Sequence, residues 1–243
     1  MIKLPAGLVK ATFISRPNRF TVIAVRDGQR LTAFLADPGR LTELLQPGAE
    51  LYLAPVPSRQ GRKTALDVVL LRMGDTFISL DSRLPNRIFA AAFQAGRLEP
   101  FKNYRKLQAE VRAGASRLDF LLMAEERGGK PAREELPPCY VEVKSVTLVT
   151  DDKVALFPDA PTSRGSRHLR ELMALLSEGY RAAVVFIIQR EDAVSFAPNE
   201  ATDPLFARTL GEAVAAGVEV YAYRCRITPA VAGLSDPLAI KLL

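Results

Sequence analysis

Residues 139–149 read CYVEVKSVTLV, an apolar run that carries Glu142 and Lys144 two positions apart at its centre. Successive side chains of a strand point to opposite faces, so Glu142 and Lys144 share one surface while Val141 and Val143 occupy the other. Upstream, KLQAEVRAG (106–114) and SRLDFLLM (116–123) are two strand-like runs joined closely enough to form a hairpin. In the first, Leu107, Ala109 and Val111 alternate with Gln108, Glu110 and Arg112; in the second, Leu118, Phe120 and Leu122 leave Asp119 on the other face beside Arg117. Three consecutive strands thus each present an ionisable group from an apolar setting.

Further outward the pattern alternates. NRIFAAAFQAGR (86–97) is helix-prone, with Gly96 as a stop, and EERGGKPAREELPP (125–138) is a polar Pro/Gly-rich loop. After FPDAPTSRG (157–165) come an amphipathic helix RHLRELMALLSEG (167–179), an apolar strand AAVVFIIQ (182–189), a helix over 204–216 and a strand VEVYAYRC (218–225). Helices alternating with apolar strands predict an α/β sheet covered on both faces.

The first third of the chain has another character. LVKATFIS, RFTVIAV, RLTAFLA, ELYLAPV, ALDVVLLRM and TFISL are short strand-like runs separated by turn signals, and Asp27-Gly28 fits a tight hairpin turn. DPGRLTELLQPG (37–48) offers one possible helical turn between the third and fourth runs. One short helix among five or six strands predicts a small closed barrel of the OB type. The expected organisation is therefore two domains, 1–82 and 83–243.

Apolar residues form 48% of the chain and charged ones 25%, enough to bury a core and too apolar for a disordered chain. No stretch approaches the roughly 18 apolar residues that span a bilayer, and the start lacks an apolar signal core. The expectation is a cytoplasmic protein with no membrane partner. Cys139 and Cys225 stand alone in apolar surroundings, which predicts buried free thiols rather than a disulfide or zinc site. Residues 1–128 hold 20 Lys+Arg against 12 Asp+Glu, net +8; residues 129–243 hold 13 against 15, net −2. A polyanion would be drawn to the first half.

Phosphodiester hydrolysis calls for a hard divalent cation, and carboxylates suit Mg²⁺ or Mn²⁺. Asp119, Glu142 and the Val143 carbonyl can supply ligands, Lys144 can orient water or offset transition-state charge, and Glu110 can position a water or assist a second metal. Asp151-Asp152-Lys153 has the same acid-to-lysine spacing but lies in a polar connection. On spacing alone, an edge-strand salt bridge with a solvated Asp119 is the reading the residues favour.

At these residues the chain resembles the sugar fermentation stimulation protein A family along nearly its whole length. The matching blocks are RPNRF, DPGRL, SRLPNRI, AEVRAGASRLDFLL, YVEVKSVTL, FPDAPTSRGSRHLREL and GVEVYAY. The resemblance implies DNA binding, a link to sugar utilisation, and an OB-like barrel followed by a PD-(D/E)XK nuclease-like α/β domain. It puts the acids on Glu110, Asp119 and Glu142 and the motif lysine on Lys144, with Leu118 where the general pattern has proline. Fold membership does not prove cleavage: a non-catalytic DNA-binding regulator and an RNA- or nucleotide-processing enzyme are the rival readings.

Arg164, Arg167 and Arg170 gather near the start of a helix, where cations oppose the helix dipole unless a phosphate is bound, with Thr162 or Ser163 as cap. Pairing of Arg167 with Glu171 is the alternative. His168, the single histidine, either joins the site, as the helix after the lysine strand often does in such enzymes, or is structural. In the barrel, Arg16, Arg19, Arg40 and Lys63 flank turns where a nucleic-acid backbone could run, and Phe20 is placed to stack on a base, with solvated charges and a core Phe as the alternative.

Overall fold

The computed structural model describes residues 1–57, 64–114, 116–124 and 136–242. Strand β1 (Ile2–Lys3) is followed by β2 (Val9–Asn18), β3 (Thr21–Arg26), β4 (Gln29–Phe34), β5 (Glu50–Pro55), β6 (Leu66–Met73) and β7 (Thr76–Ser79). The sheet order is β4-β3-β2-β5-β6-β7, and a parallel β4–β6 pairing closes the first five of these strands into a barrel. Asp27 and Gly28 both have positive φ (49° and 76°) between the paired Arg26 and Gln29, the geometry of a type I′ hairpin turn. Residues 37–48 form turns, one of them closed by the Leu45 amide donating to the Leu41 carbonyl at 2.9 Å as in a single helical turn; Leu41, Leu44 and Leu45 fold inward and plug the barrel with Phe13, Leu51 and Leu71.

The second domain contains α1 (Leu84–Gln94), β8 (Lys106–Ala113), β9 (Ser116–Met123), β10 (Cys139–Val146), β11 (Val154–Phe157), α2 (Ser163–Ser177), β12 (Arg181–Ile188), β13 (Ser195–Pro198), α3 (Pro204–Ala216), β14 (Glu219–Ile227), β15 (Val231–Pro237) and β16 (Ala239–Ile240). Seven strands form one mixed sheet in the order β1-β15-β14-β12-β10-β9-β8. Its centre, β10, β12 and β14, is parallel. From Ala182 to Ile188, β12 is wholly buried, as expected for a strand covered on both faces. On one face Val141, Val143, Val185 and Ile187 pack with Ile88 and Phe89 of α1 and with Val69 and Leu70 of the barrel. On the other, Val184 and Phe186 pack with Leu169 and Leu172 of α2 and Phe206 and Leu210 of α3.

Two features depart from the sequence reading. The chain start does not belong to the barrel: β1 pairs antiparallel with β15 on the edge of the seven-stranded sheet, because the edge strand offers unpaired backbone groups that a two-residue strand can satisfy. A separate sheet, β11-β13-β16, forms from segments too short to show a period. Cys139 and Cys225 are buried free thiols, and burial pushes both up to about 12. Among the described residues no helix is long and apolar enough to cross a membrane. Residues 125–135 of the polar loop, and Lys63 of the barrel, lie outside the described residues.

Candidate functional site

The site grows from a gap in the sheet. The antiparallel β9–β10 ladder stops at Val141 opposite Phe120, leaving the next stretch of β10 without backbone partners on that side. Asp119 fills the gap: its Oδ2 accepts from the Val143 amide at 2.8 Å, and its Oδ1 accepts from Asn86 Nδ2 of α1 at 2.7 Å. The N–H and C=O of one strand residue project from the same edge, so the Val143 carbonyl faces this gap as well. Burial pushes the Asp119 carboxyl up to about 6, the Glu142 charge adds to this, and the Val143 and Asn86 hydrogen bonds oppose it.

Glu142 lies on the α2 face and is only 4% exposed. Lys144 Nζ donates to its Oε1 at 2.7 Å, and His168 of α2 also holds Oε1 through Nδ1. Arg164 Nε donates to His168 Nε2 at 3.3 Å, which fixes the ring proton on Nδ1 and directs it at Glu142. Burial raises the Glu142 carboxyl, but the Lys144 charge and the His168 hydrogen bond outweigh it and hold the group below the usual range. The second oxygen, Oε2, is buried and has no hydrogen-bond partner.

Helix α2 arrives at this place because its first turn is anchored. Thr162 Oγ1 accepts from the Gly165 amide at 3.0 Å, and the Thr162 amide donates to Asp203 Oδ2 at 2.7 Å, the same carboxylate that caps α3 through the Phe206 amide. Thr162, rather than Ser163, is the cap. Arg164, Arg167 and Arg170 are exposed, and no Arg167–Glu171 ion pair forms among the described residues.

Glu110 is not brought to the site. It is exposed, adopts a left-handed φ of 59°, and pairs with Arg117 Nε at 2.6 Å. It stays on the strand face that Arg117 and Asp119 share, but its carboxylate is turned to Arg117 and joins no metal-holding cluster among the described residues. In the barrel, the two terminal nitrogens of Arg16 donate to the carbonyls of Arg19, Asp37, Gly39 and Arg40 at 2.7–2.9 Å, so this guanidinium braces a loop rather than facing a ligand. Arg19 and Arg40 are exposed and form no ion pair among the described residues. Phe20 is 48% exposed and stacks on Phe34 with centroids 6.2 Å apart. Asn86 was not singled out from the sequence, although it stands in the SRLPNRI block; nothing local marks an amide as the partner of an acid 33 residues away.

A divalent cation can be tested against this donor set. Among the described residues no three His, Cys, Asp or Glu side chains converge to hold a metal ion. A cation here would rest on Asp119, Glu142 and the Val143 carbonyl, the sparse oxygen set that suits a Mg²⁺ ion keeping its waters. The buried, unpartnered Glu142 Oε2 and the raised Asp119 fit that need, since a bound cation would satisfy the first and reverse the second.

The architecture defines a class: an OB barrel joined to an α/β domain that carries an acid–lysine–histidine cluster on its central parallel strand. A model described as the SfsA N-terminal OB domain matches residues 14–80, and one described as the sugar fermentation stimulation protein RE domain matches residues 83–231. The chain belongs to the sugar fermentation stimulation protein family. It is 70% identical over 243 residues to a sugar fermentation stimulation protein homolog of Moorella thermoacetica, covering 100% of both chains. It is 50% identical over 226 residues to one of Chloroflexus aurantiacus, covering 92% of this chain and 82% of that one. A solved structure of Pyrococcus furiosus SfsA in complex with Ca²⁺ superposes with a TM-score of 0.84 at 28% identity, covering 99% of this chain and 98% of the other.

Proposed function

We propose that the chain is a DNA-binding phosphodiesterase that uses Mg²⁺ or Mn²⁺ at Asp119, Glu142 and the Val143 carbonyl. The observation that carries this reading is the Glu142 carboxylate, buried, held at one oxygen by Lys144 and His168 and unpartnered at the other. The Ca²⁺ complex of the similar Pyrococcus furiosus protein supports a cation in this family, and the net +8 of residues 1–128 supports a polyanionic partner.

When bound, the cation would supply a low-pKa water and neutralise charge on a phosphate oxygen. The chain's own residues do the rest. Asn86 and the Val143 amide fix the Asp119 carboxylate, and Lys144 and His168 hold Glu142 by Oε1, which leaves Oε2 for the cation. Lys144 places an ammonium beside the reacting phosphate, where it offsets the extra negative charge of the transition state. Arg164, tied to His168 and exposed beyond it, is placed to take a neighbouring phosphate.

Purified protein with Mg²⁺ or Mn²⁺ is expected to cut DNA. Lys144→Ala or Asp119→Ala is expected to lower cutting by about 10²-fold or more while sparing binding in a mobility-shift assay. Equal behaviour of wild type and Lys144→Ala across substrates and metals would remove the catalytic reading. Salt-dependent binding without cutting would leave a DNA-binding regulator, and preference for RNA in competition would redirect the substrate class.

A further inference from the structure

A cavity of about 500 Å³ opens between the barrel and the α/β domain. It starts at Val143 and Lys144, the end of the candidate site, and runs to Arg19 and Arg40 on the barrel. Apolar surface from Phe157 and Pro161 lines it between these cations. Its contents are therefore positive groups spaced along a path and flat apolar surface between them, the combination that binds alternating phosphates and bases.

Stacking decides what form the nucleic acid takes. The Phe157 ring in the lining and the half-exposed Phe20 ring beside Arg19 can take a base only where that base's face is free. The bases of a single strand offer such faces, whereas those of a duplex are already stacked on their neighbours. We infer that the interdomain cavity seats a single-stranded segment of nucleic acid, with Arg19 and Arg40 on the phosphates that flank the one at Lys144 and with Phe20 stacking on a base at the outer end. This inference rests on the proposed function for the position of the reacting phosphate.

The loop that carries Arg40 is built in advance. Arg16 holds the carbonyls of Asp37, Gly39 and Arg40, and Asp37 Oδ1 accepts from the Gly39 amide at 2.8 Å. Asp37 and Asp159 also border the cavity, and their charge would oppose a phosphate. Asp37 is turned into the loop, and Asp159 is half-buried against Gly39. Asp37 is 6% exposed, and Asp159 Oδ2 is inaccessible, 2.3 Å from the point where a Cβ on Gly39 would sit. The cations are left facing the opening. Phe20, on the β2–β3 turn next to Arg19, presents a half-exposed ring that is already supported from behind by Phe34.

The test uses the full chain and labelled 20-nucleotide probes: single-stranded DNA, single-stranded RNA of the same sequence, blunt duplex DNA, and duplex DNA with a single-stranded tail. The expected result is that the single strands and the tailed duplex bind at least about ten times more tightly than the blunt duplex, with cutting in Mg²⁺ confined to unpaired nucleotides. Arg19→Ala/Arg40→Ala and Phe20→Ala are each expected to weaken single-strand binding about five-fold or more at unchanged melting temperature. The DNA and RNA arms identify which single strand is preferred. Equal binding and internal cutting of the blunt duplex would overturn the inference while leaving the phosphodiesterase reading intact. Single-strand binding that depends on Arg19 and Arg40, with no cutting under any metal, would do the reverse. Single-strand affinity unchanged in both variants would also overturn it.

Discussion

At the scale of single residues, Glu142 and Glu110 show how little the identity of an acid says about its work. Glu142 is 4% exposed and held by two basic partners, whereas Glu110 is exposed and paired with an exposed Arg117. Exposed ion pairs contribute about 0–1 kcal/mol, so Glu110→Ala is expected to leave both melting temperature and DNA cutting near wild type. Asn86→Ala strips a hydrogen bond from the buried Asp119 carboxylate and is expected to cost about 1–3 kcal/mol and to lower cutting more than Glu110→Ala does. Thermal melts and kcat/KM on the two variants check this. An Asn86→Ala variant as stable as wild type and indistinguishable from it in the cutting assay would remove the amide from the site.

At the scale of elements, the loop over residues 37–41 is a rigid insert held by one arginine and one buried acid. Burial pushes the Asp37 carboxyl up to about 6, the Gly39 amide opposes this, and Asp159 adds to it. The folded value lies above the unfolded one, so the contribution of Asp37 to stability is complete below about pH 4 and is lost as pH rises through 6. Asp37→Asn keeps an oxygen for the Gly39 amide and has no charge to desolvate. It is expected to stabilise the protein at pH 8 by about 1–3 kcal/mol and to bring no gain at pH 4. Melting temperatures of the two proteins at pH 4, 6 and 8 decide it; a gain that does not change with pH would assign the effect to something other than ionisation. The β3–β4 turn, by contrast, is plain in the sequence, because Asp27-Gly28 demands a backbone that few other pairs adopt.

At the scale of the whole molecule, the two domains are not independent beads. Val69 and Leu70 of the barrel share a core with Ile88 and Phe89 of α1 and Val141 and Val143 of β10, and β1 crosses back to the large sheet before the barrel begins. Leu70 is fully buried there, so Leu70→Ala is expected to cost about 2–5 kcal/mol and to lower one cooperative transition. Far-UV circular dichroism and tyrosine fluorescence should report the same midpoint; two separated transitions would show that the barrel and the α/β domain unfold apart. A shared core also holds the interdomain cavity to one shape, as a site that spans both domains requires.

The barrel strands, α1, the β8–β9 hairpin, β10, α2, β12, α3 and β14 were legible in the chain itself, since period, turn residues and apolar runs are local properties. The pairing of Glu142 with Lys144 on one strand face was legible for the same reason: two positions apart on a strand means one side. The rest needed the folded chain. Asn86 meets Asp119, His168 meets Glu142 and Arg16 meets the carbonyls of Asp37, Gly39 and Arg40 across separations of 21 to 33 positions, and no local rule relates such residues. Glu110 shares a strand face with Asp119 yet pairs with Arg117, a choice of partner that the strand's period does not encode. Sequence sets which side of an element a group occupies, but only the packing of elements decides whether two such sides meet, because burial and hydrogen bonding act over distances in space rather than along the chain.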